Sequence, residues 1–198
     1  IIYRRFPVYR THLFMSKFAF LTLSAVTLQA LVFASPSTGQ SELQTYQSEE
    51  FGYSIKYPDS HKPEKRDYPT QQFPNQERVR FSGPGVAYMV VVSQSEKLER
   101  VKNERLLSMM KSKRKMLERR LRRAPRDQVE VRSVTNTVVD GRDALLIEGK
   151  EIGRDIITLM ALFKKDDRQF QVVARTASAN WRKSREAILR VMKSLEVQ

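Results

Sequence analysis

His12 and His61 are the only imidazoles in this 198-residue chain, and there is no cysteine at all. That excludes a thiolate metal site, a disulfide framework and a cysteine nucleophile. His12 falls in a stretch that stands apart from the folded region, so a Ser-His-Asp relay would have to use His61. His61 sits between Ser60 and Lys62 in a polar, proline-bounded stretch, which predicts a solvated turn residue. The carboxylate pairs Glu49-Glu50 and Asp166-Asp167 fall at predicted turns and strand edges, where acids are ordinary. Gly149 to Gly153 lacks the spacing of a phosphate loop, and Ser82-Gly83-Pro84-Gly85 is followed by neither Lys-Ser nor a helix. No catalytic, metal-binding or cofactor-binding residue is expected, and an enzyme of unknown class is the weakest reading.

The chemistry that stands out is charge. Lys and Arg number 36 against 22 Asp and Glu, a net charge of +14. Setting aside Arg4, Arg5, Arg10 and Lys17 of the N-terminal stretch leaves 32 against 22. Lys97 to Arg126 alone holds 13 basic residues and 3 acids, so the remainder balances at 19 of each. The excess belongs to one segment. Its densest part comprises Lys111, Lys113, Arg114, Lys115, Arg119, Arg120, Arg122, Arg123 and Arg126, which a helix dipole alone does not explain. These nine are the candidate binding residues for an anionic membrane surface, an envelope polymer or an acidic protein. Nucleic acid is the alternative partner. Export argues against it, and no aromatic residue interleaves the cluster to stack on bases. A merely solvated helix face is the plainest reading of the same residues.

Export itself is read from the N-terminus. Phe18 to Phe33 is a mostly apolar run without charge, preceded by Lys17 and followed by Val32-Phe33-Ala34, the pattern of a secretory leader cleaved between Ala34 and Ser35. At about 16 residues, with several polar ones, the run is short for a membrane span. An uncleaved anchor is the alternative. The expected organisation is an upstream extension over residues 1–14, a signal peptide over 15–34, a linker over 35–45 and one domain over 46–198. The protein is then periplasmic, extracellular or lumenal, or membrane-associated through its leader.

The elements that must carry the basic cluster follow from periodicity. Leu98 to Arg123 has no Gly or Pro and predicts one long helix, with Leu106, Met110, Leu117 and Leu121 as its apolar stripe and Met109 and Met116 beside it. Tyr53 to Tyr57 alternates as a strand that Pro58 ends. Pro58 to Gln76 reads as a polar loop. Arg78 to Phe81 and Val86 to Ser93 form two strands joined by a turn. Val129 to Val139 and Ala144 to Lys150 flank Asp140-Gly141, a hairpin signal. Ile156 to Phe163 is apolar on both faces, as a central covered strand must be, and Arg168 to Thr176 follows it across a polar turn. A last helix spans Trp181 to Leu195, capped by Asn180, with Trp181, Ile188, Met192 and Leu195 along one face. Tyr53, Tyr57, Phe81, Tyr88, Phe163, Phe170 and Trp181 fall on core positions. The fold class is α+β, an antiparallel sheet covered by helices.

The stretch from Tyr46 to Pro58, with its Phe51-Gly52-Tyr53-Ser54-Ile55-Lys56-Tyr57-Pro58 core, resembles the start of PsbP and DcrB-like domains. The close of the chain, Trp181 through Ile188, Met192 and Ser194-Leu195, is similar to their terminal helix, and Asp140 to Ala144 sits where they have a hairpin turn. Where members often have a tryptophan after the Tyr-Pro, this chain has Asp59-Ser60-His61. The resemblance covers most of Tyr46 to Val197. It implies an α/β/α sandwich and a secreted or lumenal, mostly non-enzymatic role.

Overall fold

The computed structural model describes residues 42–67, 75–122 and 128–198. The leader, its Ala34-Ser35 junction, Arg123 and Arg126 lie outside the described residues. The chain runs β1 (Leu43–Ser48), β2 (Tyr53–Pro58), β3 (Lys62–Asp67), β4 (Asn75–Ser82), β5 (Val86–Gln94), α1 (Glu96–Glu99), α2 (Asn103–Lys111) and α3 (Arg114–Leu121). It continues through β6 (Val129–Val139), β7 (Arg142–Glu151), β8 (Ile156–Lys165), β9 (Arg168–Ala177), α4 (Trp181–Lys193) and β10 (Glu196–Val197). Seven strands form an antiparallel sheet in the order β3-β4-β5-β9-β8-β7-β6, and β1-β2-β10 form a small second sheet. This is the α+β, helix-covered antiparallel architecture that the sequence predicts. The small sheet is the addition.

One face of the large sheet is sealed. The small sheet and α4 cover it with Tyr53, Ile55, Tyr57, Ile188, Val191, Met192 and Leu195, packed on Val79, Phe81, Tyr88, Val90, Phe163, Phe170 and Val172. Trp181 packs on this cluster while partly buried. The other face carries a second core under α2 and α3, built from Leu106, Met110, Leu117 and Leu121 on Leu145, Ile147, Met160 and Leu162. β8 contributes Leu159, Ala161 and Phe163 to one cluster and Met160 and Leu162 to the other, so it is covered on both faces as expected. The Asp140-Gly141 hairpin is as expected too, with φ of 51° and 69°, the pair of positive values that a tight turn between twisted strands requires.

Four local expectations need correction. Instead of one helix there are three segments, because side chains pin the chain to the sheet. Asn103 donates to Asp143 O at 2.8 Å and accepts from Lys164 N at 3.0 Å, which fixes the start of α2. Ser112 Oγ donates to Met109 O, competing for the helical carbonyls, and Arg114 donates to Val131 O of β6. The stripe survives, because Leu106, Met110, Leu117 and Leu121 are all buried. The expected loop before β4 contains β3, a polar edge strand whose residues are exposed from Lys62 to Lys65, so no alternation marks it. Asn180 stands at the N-cap position of α4, but its side chain makes no capping hydrogen bond, and a 3-10 turn, Ser178–Asn180, leads into the helix.

His61 is the fourth. It is 5% exposed rather than solvated. Its Nε2–H donates to Val86 O at 2.7 Å, Nδ1 lies within hydrogen-bond distance of Ser60 Oγ at 3.2 Å, and its ring lies 5.3 Å from that of Tyr88. Gly83 leaves room for it: a Cβ there would come within 2.5 Å of the ring. The residue fastens the segment before β3 to the β4–β5 turn.

The two sheets are joined by a buried carboxylate with no signal in the sequence. Glu77 of β4, 1% exposed, accepts from Tyr53 Oη at 2.6 Å and Ser48 Oγ at 3.2 Å, and pairs with Lys65 Nζ at 2.9 Å. Burial, then the bond to Glu77, pushes the Tyr53 hydroxyl well above its ordinary range, so it stays a donor. The hydrogen bonds that Lys65 donates to Glu77 and Glu50 raise its ammonium above the ordinary value and keep it charged.

Candidate functional site

The site begins with how α3 is seated. Leu117 and Leu121 are fully buried over β6 and β7, and Leu121 rests on Gly149, where a Cβ would approach Leu121 Cδ1 to 2.6 Å. Gly149 is therefore required for close helix-to-strand contact, not for a phosphate loop. The C-terminal end of α3 is held by Arg175 of β9, whose Nη2 donates to Leu121 O at 2.6 Å while Nη1 lies 3.4 Å from Glu151 Oε1. Glu151 is 1% exposed, and its charge is compensated there and by Arg154 at 4.0 Å. A cation at a helix C-terminus also suits the dipole.

So placed, α3 lies over β6 and β7, with α2 beside it over β7 and β8, and the two cover only that part of the sheet face. Beside it the floor of a groove of about 990 Å³ is formed by β4, β5 and β9. Register describes the floor row by row. Ile147, Met160, Val173, Met89 and Arg80 stand opposite one another on β7, β8, β9, β5 and β4. Along that row exposure rises from fully buried at Ile147 and Met160 to exposed at Arg80. In the next row Leu145, Leu162, Gln171, Val91 and Arg78 repeat the sequence from apolar to cationic. With neighbouring strands about 4.8 Å apart, β5 and β9 give an apolar strip edged by the arginines of β4.

The far wall comes from α3. Met116, Arg119, Arg120 and Arg122 line the groove, with Arg175 beneath them. Among the described residues, six arginines and two glutamates, Glu64 and Glu151, are the charged groups that line it, and no described lysine does. Arg120 is half-buried, and burial lowers its guanidinium from the ordinary value, although an arginine so placed remains charged.

The candidate cations thus divide. Arg119, Arg120 and Arg122 are brought together with Arg78, Arg80 and Arg175 at the groove. Lys111, Lys113 and Lys115 are exposed and do not line it. Arg114, 3.5 Å from Glu118, turns to the β6 edge. Arg78, Arg80 and Arg175 have no signal in the sequence beyond alternation on their strands, since nothing local says which half of the face a helix will leave open. Among the described residues no group of three or more His, Asp or Glu could hold a metal ion. Nor is any described helix long and apolar enough to cross a membrane.

No family model matches the chain, and no curated protein matches it. Solved structures do. The solution structure of cyanobacterial PsbP (CyanoP) from Synechocystis sp. PCC 6803 is 15% identical, with a TM-score of 0.58, over 84% of this chain and 99% of that one. A crystal structure from Bacteroides thetaiotaomicron VPI-5482 is 11% identical, with a TM-score of 0.51, over 78% of this chain and 48% of that one. The domain therefore has the PsbP-like fold that its opening and closing motifs resemble.

Proposed function

We propose that this is an exported accessory protein without catalytic turnover of its own, which binds an anionic partner at the arginine-lined groove. The observation that carries the reading is convergence: arginines from a helix and from two strands far apart in the sequence line one concavity, with two acids among the described residues there. Guanidinium groups in a partly dehydrated concavity suit carboxylate and phosphate oxygens, which they bind in a planar fork. Export rests on the apolar run after Lys17 and its small-residue end.

The test compares two triple variants. Arg119→Gln/Arg120→Gln/Arg122→Gln removes the helical wall of the groove, and Lys111→Gln/Lys113→Gln/Lys115→Gln removes the outward cations. With each cation near an anionic surface contributing about 1 kcal/mol, the arginine triple should weaken retention on immobilised polyglutamate roughly 100-fold at low salt. The lysine triple should weaken it far less, and high salt should weaken the wild type. Equal losses in the two variants would show that the groove is not the site. Retention that follows nucleic acid and ignores polyglutamate would also overturn the reading.

A further inference from the structure

We infer that the occupant of the groove is a single-chain anionic amphiphile, with its acid group held by the arginines of α3 and its chain laid along β5. The inference rests on the groove reading above and specifies its ligand. The arginines explain an anion but not the floor between them. Ala87, Met89 and Val91 point from β5 to this face, flanked by Val173 of β9. Val91 is 5% exposed yet belongs to neither core cluster. Ala87 and Met89 are partly exposed, Met89 at the margin of the second core.

A soluble anion or a polymer held at the rim would leave this strip unused. A flat membrane surface would meet the rim and not the floor, because α3 stands above the sheet as a wall. A single acyl chain meets both features. From Ala87 to Val91 the strip runs about 13 Å, and a volume of about 990 Å³ lies at the upper end for small-molecule sites. Floor and wall then divide the work: apolar contact fixes the chain, and charge fixes which end carries the acid.

The experiment titrates the purified protein with dansyl-undecanoic acid, a fatty acid whose emission rises in an apolar site, and then adds competitors. Laurate and lauryl phosphate should displace it. Dodecanol should compete at least about tenfold less well, and inorganic phosphate not at all. The isosteric floor variants Met89→Gln and Val91→Thr should lower probe affinity about tenfold while leaving polyglutamate retention unchanged. The arginine triple should lose both. Absence of probe binding, or an unchanged affinity in Met89→Gln, overturns the inference; if polyglutamate retention still depends on Arg119, Arg120 and Arg122, the groove reading stands without it. Dodecanol as effective as laurate overturns the anionic head, and phosphate as effective as lauryl phosphate overturns the chain. Loss of arginine dependence in every arm removes both readings, and unchanged urea midpoints confirm that each variant is folded.

Discussion

The two halves of the sheet face beneath α2 and α3 are built from the same strand alternation and end in opposite chemistry. Under the helices, Leu145, Ile147, Met160 and Leu162 form a dry core with Leu117 and Leu121. Three strands beyond β8, the same registers carry Arg78 and Arg80. Short helices cannot cover a seven-stranded face. The half left open becomes a concavity, and its residues need only suit water or a ligand. The strip between, on β5 and β9, is apolar enough to belong to either half, and its exposure is decided by where α3 stops.

The sharpest way to break that contrast is to place one acid in each half of a single row. Met160→Asp buries a carboxylate with no partner and should cost more than about 4 kcal/mol. Met89→Asp, two strands away on the groove floor, should cost about 1 kcal/mol. Equal losses in urea unfolding would mean that the helices cover both halves alike.

The boundary between the halves is a second target. Arg175→Gln removes the group that compensates buried Glu151 and holds Leu121 O, and should cost about 3 kcal/mol. The double variant Arg175→Gln/Glu151→Gln should recover part of that stability, and no recovery would show that the ion pair is not what Arg175 supplies. Next in size is Gly149→Ala. Its methyl must displace Leu121, so thermal unfolding should show a loss of about 2 kcal/mol, and amide exchange in α3 should quicken selectively. If exchange in α2 and α3 rises together, α3 is not seated by this contact.

The smallest effect tests the sealed face. Tyr88 and Met89 are chain neighbours pointing to opposite faces, and burial pushes the Tyr88 hydroxyl up to about 12. The hydroxyl is raised from an ordinary 10, so its contribution is complete below about pH 10 and is lost as pH climbs to about 12. At about pH 11 the loss should be about 1 kcal/mol, and it should be missing from Tyr88→Phe when unfolding is followed against pH. A Tyr88→Phe profile that matches wild type would mean that this face admits water as the groove does.

Much of this molecule was legible before any tertiary contact was considered. Alternation set β2, β4, β5 and β9, the Asp140-Gly141 pair set a hairpin, and the double-faced apolar run set β8 as an interior strand, because each signal lies within a few residues. The helix stripe was legible for the same reason, and Leu106, Met110, Leu117 and Leu121 are buried as their spacing requires. The division of that helix was not, since it depends on Asn103 and Arg114 finding backbone groups of β6, β7 and β8. β3 and β10 were hidden because a polar or two-residue edge strand is defined by its partner.

His61 and Glu77 make the same point in the core. Each polar residue is buried because distant groups satisfy it: Val86 O and Ser60 for one, Tyr53, Ser48 and Lys65 for the other. The sequence by itself determined that the positive excess would lie on one helical segment with its apolar stripe against a sheet, for charge and periodicity are additive along the chain. Only the tertiary structure decided that Arg119, Arg120 and Arg122 would face Arg78 and Arg80 across an apolar floor while Lys111, Lys113 and Lys115 would face away. Which half of a face stays open depends on where a helix is seated, and Gly149, Arg175 and Glu151 set that seat through contacts between residues distant in the sequence.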